Sequence, residues 1–197
     1  MIEQSDAQAV SISPGPACTQ RPGGPGLRRA GTTLIMIVGI LLLGSAPAFA
    51  AGNDYPYSTQ ANTSAVDPWG FTERQCVSFA AWRSHQRGRD MHSNPTTPWG
   101  NAQHWDEEAR ALGKAVNATP TVGSFAHWNA NEKRSWTSGP YTYNFAAGPN
   151  GHVAYVAAVY PDKTVLLEDY NGFGGSRVYG TKRMPVSAVP RFIHYAG

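Results

Sequence analysis

The chain has 197 residues, of which 41% are apolar and 15% charged, a balance that suits one globular domain with a real core and excludes a disordered chain. The formal charge is +3, and setting aside Arg21, Arg28, Arg29, Glu3 and Asp6 leaves about +2 after residue 50. That is too little for a nucleic-acid footprint, and no Lys/Arg block or RNA-binding aromatic signature is present.

Residues 1–50 read as an export signal. Arg28 and Arg29 form its basic part, Leu34 to Leu43 (LIMIVGILLL) has the length of a signal-peptide apolar region, and Ala48-Phe49-Ala50 presents small residues to a signal peptidase. Cleavage is expected after Ala50, giving a secreted protein. The apolar run is shorter than the ~20 residues of a spanning helix, so no stable membrane association is expected after cleavage. Of the two cysteines, Cys18 and Cys76, only Cys76 then remains. It has no internal disulfide partner and must be buried or used.

Residues 51–66 are polar without an apolar period and read as a flexible linker, leaving 67–197 as the folded domain. Asp67-Pro68-Trp69-Gly70 is a turn. Thr72 to about His85 (TERQCVSFAAWRSH) reads as a helix in which Thr72 and Gln75 have capping-box spacing, with Val77, Ala80, Ala81 and Ser84 as an inward stripe. A second helix is expected over Ala102 to Leu112, stopped by Gly113. Strands follow: a short apolar piece at 122–128, an alternating one at Tyr141 to Phe145, the clearest at His152 to Tyr160 and Thr164 to Asp169, and a last at Arg191 to Tyr195. Asn129 to Pro140 reads as a loop. Helices first and strands after predict an α+β domain with its helices on one side of an antiparallel sheet.

Cys76 falls in the first turn of the first helix, where the dipole and unpaired N–H groups favour a thiolate; the alternative is a buried structural cysteine. A base must reach such a thiol and be oriented by a third group. If Asp162-Lys163 form the turn of the 152–169 hairpin, Ala154 opposes Asn171 and Val156 opposes Asp169. Both then share a face with His152, with Asn171 the nearer, while Glu168 points away. A one-residue bulge would reverse this and favour Glu168. The remaining histidines lack ligand spacing, so no metal and no cofactor is expected. Trp69, Trp99, Trp105, Trp128 and Trp136 could line a cleft, with core packing the alternative, favoured for Trp105 and Trp82. Tyr170 should pack away from His152.

Taken in order, WGFTERQCVSFAAW, GNAQHW, PTVGSFAHW, GHVAYVAAV, LLEDYNG and RFIHY resemble the CHAP family of cysteine, histidine-dependent amidohydrolases/peptidases, from about Trp69 to Tyr195. The resemblance implies a papain-like fold, Cys76 as nucleophile, His152 as base, and Asp169 with Asn171 as orienting groups. Asp169 stands where the family often has Glu, which leaves room for Asn171 or Glu168 to take over. The implied activity is cleavage of amide bonds in peptidoglycan, by an amidase acting on the N-acetylmuramoyl-L-alanine bond or by an endopeptidase, in a monomer located outside the cell or in the wall. Backbone N–H groups near Cys76 would hold the oxyanion with help from Gln75, whose alternative is a plain capping role. The competing reading is a non-catalytic wall-binding or interaction module on the same scaffold.

Overall fold

The computed structural model describes residues 52–59, 64–94 and 97–195; the export signal expected at 1–50, with its cleavage point and Cys18, lies outside the described residues. The first helix, α1, runs Cys76–Gln86, four residues shorter at its start than the capping box suggested. Its N-cap is Gln75, in extended conformation and without a side-chain cap. Thr72 is not a cap because it pairs with Val66 in an isolated bridge. Asp67 organises the approach instead: its carboxylate accepts from Trp69 N at 3.0 Å, Phe71 N at 2.9 Å and the Ser78 hydroxyl on α1. Gly70 permits that turn at φ 85°, and a Cβ there would stand 2.4 Å from Ser93 O.

Two short strands follow, β1 (Ser93–Asn94) and β2 (Thr97–Pro98). The second helical region is a 3-10 turn at Ala102–His104 leading into α2 (Trp105–Ala111). Gly113, at φ 68°, stops it as expected. The remaining strands are β3 (Ala115–Asn117), β4 (Phe125–Trp128), β5 (Lys133–Ser138), β6 (Tyr141–Ala146), β7 (His152–Val159), β8 (Thr164–Tyr170), β9 (Tyr179–Pro185) and β10 (Arg191–His194). Six form one sheet in the order β3-β10-β4-β7-β8-β9, every neighbouring pair antiparallel. The architecture is α+β.

Asn129 to Pro140 is not a plain loop. It contains β5, which pairs with β6 as a separate hairpin around Gly139-Pro140. Gly139 takes φ 59°, the left-handed dihedral that a two-residue hairpin turn needs in its first place.

The central strands β4 and β7 are buried almost throughout because both faces of the sheet are covered. On one face, α1, Trp99 and Trp105 pack on Phe125, Val153, Tyr155 and Ile193. On the other, Trp128, Val156, Leu167, Met184 and Phe192 form a second cluster flanked by Trp136 and Phe145 of the hairpin. Nine consecutive residues of α1, Cys76 to Ser84, are buried, more than an inward stripe. The segment read as a flexible linker is the reason. Tyr55 is buried with its ring against Phe79, Trp82 and Tyr170, and its hydroxyl donates to Ser78 Oγ. Tyr170, away from His152, donates to Asn53 Oδ1 at 2.6 Å.

The turn between β7 and β8 has three residues, not two. Tyr160 N donates to Thr164 O, and Lys163 closes the loop at φ 61°. The register is offset by one at the turn and by one more at a bulge between Val156 and Ala158, so that Tyr155 faces Glu168 and Val156 faces Leu167. Two single-residue offsets restore the parity of the faces, and Asp169 stays on the His152 side.

Candidate active site

Three elements meet at one end of the sheet. α1 brings Cys76 as its first helical residue, with Gln75 O accepting the first helical hydrogen bond from Phe79 N at 3.1 Å. The N–H groups of the first turn have no helical partner and point outward from the helix end. β7 brings His152 as its first residue, and β8 brings Asp169 near its end. Cys76 is 9% exposed, His152 4% and Asp169 0%, so the group is withdrawn from bulk water while its rim stays open.

His152 Nε2 and Asp169 Oδ2 are 2.8 Å apart. With Nε2 committed to the carboxylate, Nδ1 is the ring nitrogen left for the thiol. Asp169 also accepts from Phe173 N at 3.0 Å, which ties it to the following loop. Burial alone lowers the imidazole pKa. The charge of Cys76 and the hydrogen bond and charge of Asp169 outweigh that and raise it to about 10. Trp128, Phe145 and Phe173 surround the ring at centroid distances of 6.0, 5.4 and 6.0 Å and hold its plane.

Of the expected site residues, the structure brings Cys76, His152 and Asp169 together. Asn171 is not the nearer orienting group. It lies past the end of β8 at φ 60°, and its Nδ2 donates to Gln75 Oε1 at 2.7 Å while its Oδ1 accepts from Arg177 N at 3.0 Å. Glu168 is on the opposite face, buried against Arg83 at 2.7 Å, and accepts from Gly52 N at 3.2 Å. Phe145 and Gly172 went unread beside His152. Phe145 sat at the end of an alternating strand, where period-2 reading gives a face but not a neighbour.

The group opens onto a cleft of ≈ 840 Å³. Its walls are the loop before α1 (Phe71, Thr72), the segment 100–102, the run Asn144 to Gly151 and the loop 171–177. None of the six tryptophans lines it; the aromatic walls are Phe71 and Phe145. Trp99, Trp105 and Trp128 are in the core instead. Buried His127 donates from Nε2 to Ala102 O at 2.7 Å and so pins the turn that forms one rim. Among the described residues no three His, Cys, Asp or Glu side chains converge as metal ligands, and no helix is long and apolar enough to cross a membrane.

The sequence profile of the CHAP domain matches residues 66–171. The chain is 28% identical over 150 residues to the probable autolysin LDP of Staphylococcus aureus, covering 76% of this chain and 44% of that one. It is 30% identical over 142 residues to the N-acetylmuramoyl-L-alanine amidase sle1 of Staphylococcus epidermidis, covering 70% of this chain and 36% of that one. It thus spans less than half the length of these relatives. The crystal structure of an N-acetylmuramoyl-L-alanine amidase from Staphylococcus aureus is similar in fold, with a TM-score of 0.52 over 73% of this chain and 37% of that one at 20% identity. The matched stretch begins in the loop that Asp67 organises and ends at Asn171, more than half of the residues and every element that carries the site: the chain belongs to the CHAP domain family.

Proposed function

We propose that the protein is a secreted peptidoglycan hydrolase that opens an amide bond through the thiolate of Cys76, with His152 as its acid and base and Asp169 as the group that orients His152. The observation that supports this most directly is the His152–Asp169 contact at 2.8 Å beside a cysteine at a helix start, with Cys76 and His152 lining an open cleft and Asp169 buried behind them. The relatives named as autolysins and amidases supply the substrate class.

The chemistry runs as acyl transfer. His152 holds the proton, and the Cys76 sulfur adds to the amide carbonyl carbon while the π pair moves to oxygen. The free N–H groups of the first turn of α1 face that developing charge. Collapse breaks the C–N bond, and the amine leaves with the proton from His152. Water, deprotonated by His152, then releases the acyl group from sulfur. Asp169 keeps the ring in the tautomer and plane that both transfers need.

Digestion of purified peptidoglycan tests this, with products read by mass spectrometry. Soluble fragments are expected from the wild-type protein, and Cys76→Ala is expected to lower their release by at least about 10³-fold. Fragment masses separate cleavage of the N-acetylmuramoyl-L-alanine bond from cleavage within the peptide. No release from several wall chemotypes, with reduced thiol and a folded protein by circular dichroism, would overturn the proposal and leave a wall-binding module.

A further inference from the structure

The cleft carries almost no charge of its own. Among the described residues that line it there is no Asp, Glu or Lys, and Arg177 is the one side chain with a permanent charge. The other polar groups of its walls, such as Thr72, Ser93, Asn101, Asn144 and Asn150, are neutral. Hydroxyls and amides of this kind suit sugar hydroxyls and peptide groups. They do not neutralise an ion, and a carboxylate drawn into a part-desolvated cleft needs a counter-charge. Arg177 is where these walls supply one. Its planar guanidinium presents paired N–H donors that match the two oxygens of a carboxylate.

The backbone of Arg177 is pinned on both sides. Its N–H donates to Asn171 Oδ1 at 3.0 Å, and its C=O accepts from Arg74 Nε at 3.0 Å and from a terminal nitrogen of Arg74 at 2.9 Å. Asn171 N donating to Val178 O at 3.2 Å and Gly175 N donating to Gly172 O at 3.1 Å close the loop around it. Arg177 holds φ 56°, while Arg74 and Asn171 hold 59° and 60°. Non-glycine residues keep such dihedrals where the surroundings over-determine them, and such places gather at functional sites. A cation kept for solubility needs no such anchoring. Asn171 in turn donates to Gln75 Oε1 at 2.7 Å, and Gln75 directly precedes Cys76. Arg177 is thus rooted two hydrogen bonds from the residue beside the nucleophile, and a group it binds belongs to a residue neighbouring the scissile amide.

We infer that Arg177 is a specificity-determining residue that pairs with a free carboxylate of the substrate peptide, so that wall peptides keeping this carboxylate are cut in preference to those in which it is amidated. The inference deepens the proposed hydrolysis and rests on peptidoglycan being the substrate. The pairing is made on binding and kept through acyl transfer, so its loss raises KM and leaves kcat nearly unchanged.

Amidation of the wall tests this. Peptidoglycan freed of phosphate polymers by hydrofluoric acid is divided in two, and in one portion the carboxylates are converted to carboxamides with ammonium chloride and a carbodiimide. Lysozyme, which cuts the glycan and not the peptide, checks that both portions are equally open. In the full-length chain, the wild type is expected to release fragments about 10- to 100-fold more slowly from the amidated portion at low wall concentration, the range of a charged hydrogen-bonded pair. Arg177→Gln is expected to lose that much on the untreated wall, through KM, and to treat the two portions alike within about twofold. Arg177→Lys keeps the charge without the fork and is expected to fall between them. Lys133→Gln removes the same charge from an exposed position on β5 outside the cleft and should discriminate like the wild type. Alkylation of Cys76 by iodoacetamide in Arg177→Gln is expected at the wild-type rate, with fold and thiol intact. Equal wild-type rates on the two portions would overturn the inference. So would an equal loss on both in Arg177→Gln, or lost discrimination in Lys133→Gln, which would reduce the effect to overall charge. A wild-type protein that frees nothing from either portion would overturn the hydrolase reading instead. Co-sedimentation of the Cys76→Ala chain with the two portions then reads the same preference, and its persistence when Arg177→Gln is added would overturn Arg177 as its source.

Discussion

At the scale of single residues, Gly172 is the most constrained position around the site. A Cβ built there would lie 2.0 Å from Asp169 Oδ2 and 2.5 Å from His152 Cε1, inside contact distance of both partners. The backbone passes so close to the imidazole–carboxylate pair that only hydrogen fits, which is a packing demand on one methyl group. Gly172→Ala must therefore push the pair apart or lift the loop that carries Asn171. The expected result is a loss of about 10²-fold or more in turnover with the far-ultraviolet circular dichroism unchanged, because a displaced base loses the 10²–10⁴-fold that proton transfer contributes. Turnover close to wild type would show that the loop can yield. Nothing at residue level in the sequence announces this need. A glycine after Asn171 reads as ordinary turn chemistry, and the ring it makes room for comes from twenty residues earlier.

At the scale of elements, α1 is held by its own interior arginine. Arg83 and Glu168 are both buried and 2.7 Å apart, and Arg83 also donates to Gly52 O at 3.0 Å and pairs with Asp54 at 3.1 Å. One side chain thus joins a helix, a strand and the incoming segment. Arg83→Met should leave Glu168 buried without its counter-charge and cost about 3–5 kcal/mol in urea unfolding at neutral pH. Arg83→Met combined with Glu168→Leu should recover much of that loss. If the single variant unfolds at the wild-type urea concentration, the pair is not holding the helix. Elements with a strong interior pattern were legible in kind and place: α2, β7, β8 and β10 stand close to where periodicity puts them, while the start of α1 and the turn between β7 and β8 do not. The edge strands were not. β9 (YGTKRMP) exposes Thr181 and Arg183 and lays Lys182 over the rings of Trp136 and Tyr143, and β3 is only three residues long, Ala115 to Asn117. Charged or short strands suit a sheet edge and carry no alternation to read. The face of Asp169 came out of a register with the wrong turn length because the bulge supplied a compensating offset. The orienting partner of His152 could not be ranked from faces alone, since Asn171 leaves the strand at a positive φ and turns toward Gln75.

At the scale of the whole molecule, the two buried histidines bear on stability differently. His127 is deep in the sheet, donating to Ala102 O and accepting from Arg191. Burial pulls its pKa down to about 4, and the Arg191 charge adds to that against the acids around it. Its folded value lies below the ordinary 6.5, so the unfolded chain takes up this proton first. The stabilising contribution of neutral His127 is complete above about pH 6.5 and is lost as pH falls toward 4, amounting to a few kcal/mol. Urea midpoints between pH 7 and 4 should fall in the wild-type protein and fall less in His127→Gln; equal slopes would remove His127 as the cause. The incoming segment also acts on the molecule as a whole. Because Tyr55 fills the outer side of α1 and Gly52 and Asp54 close over Arg83, a cassette transplanted between multidomain chains has to carry Gly52 to Tyr55 and cannot be cut at Asp67, where composition changes. A graft cut at Asp67 would present Phe79, Trp82 and Tyr170 as an open aromatic socket, a ready site for misassembly with whatever module is fused ahead of it.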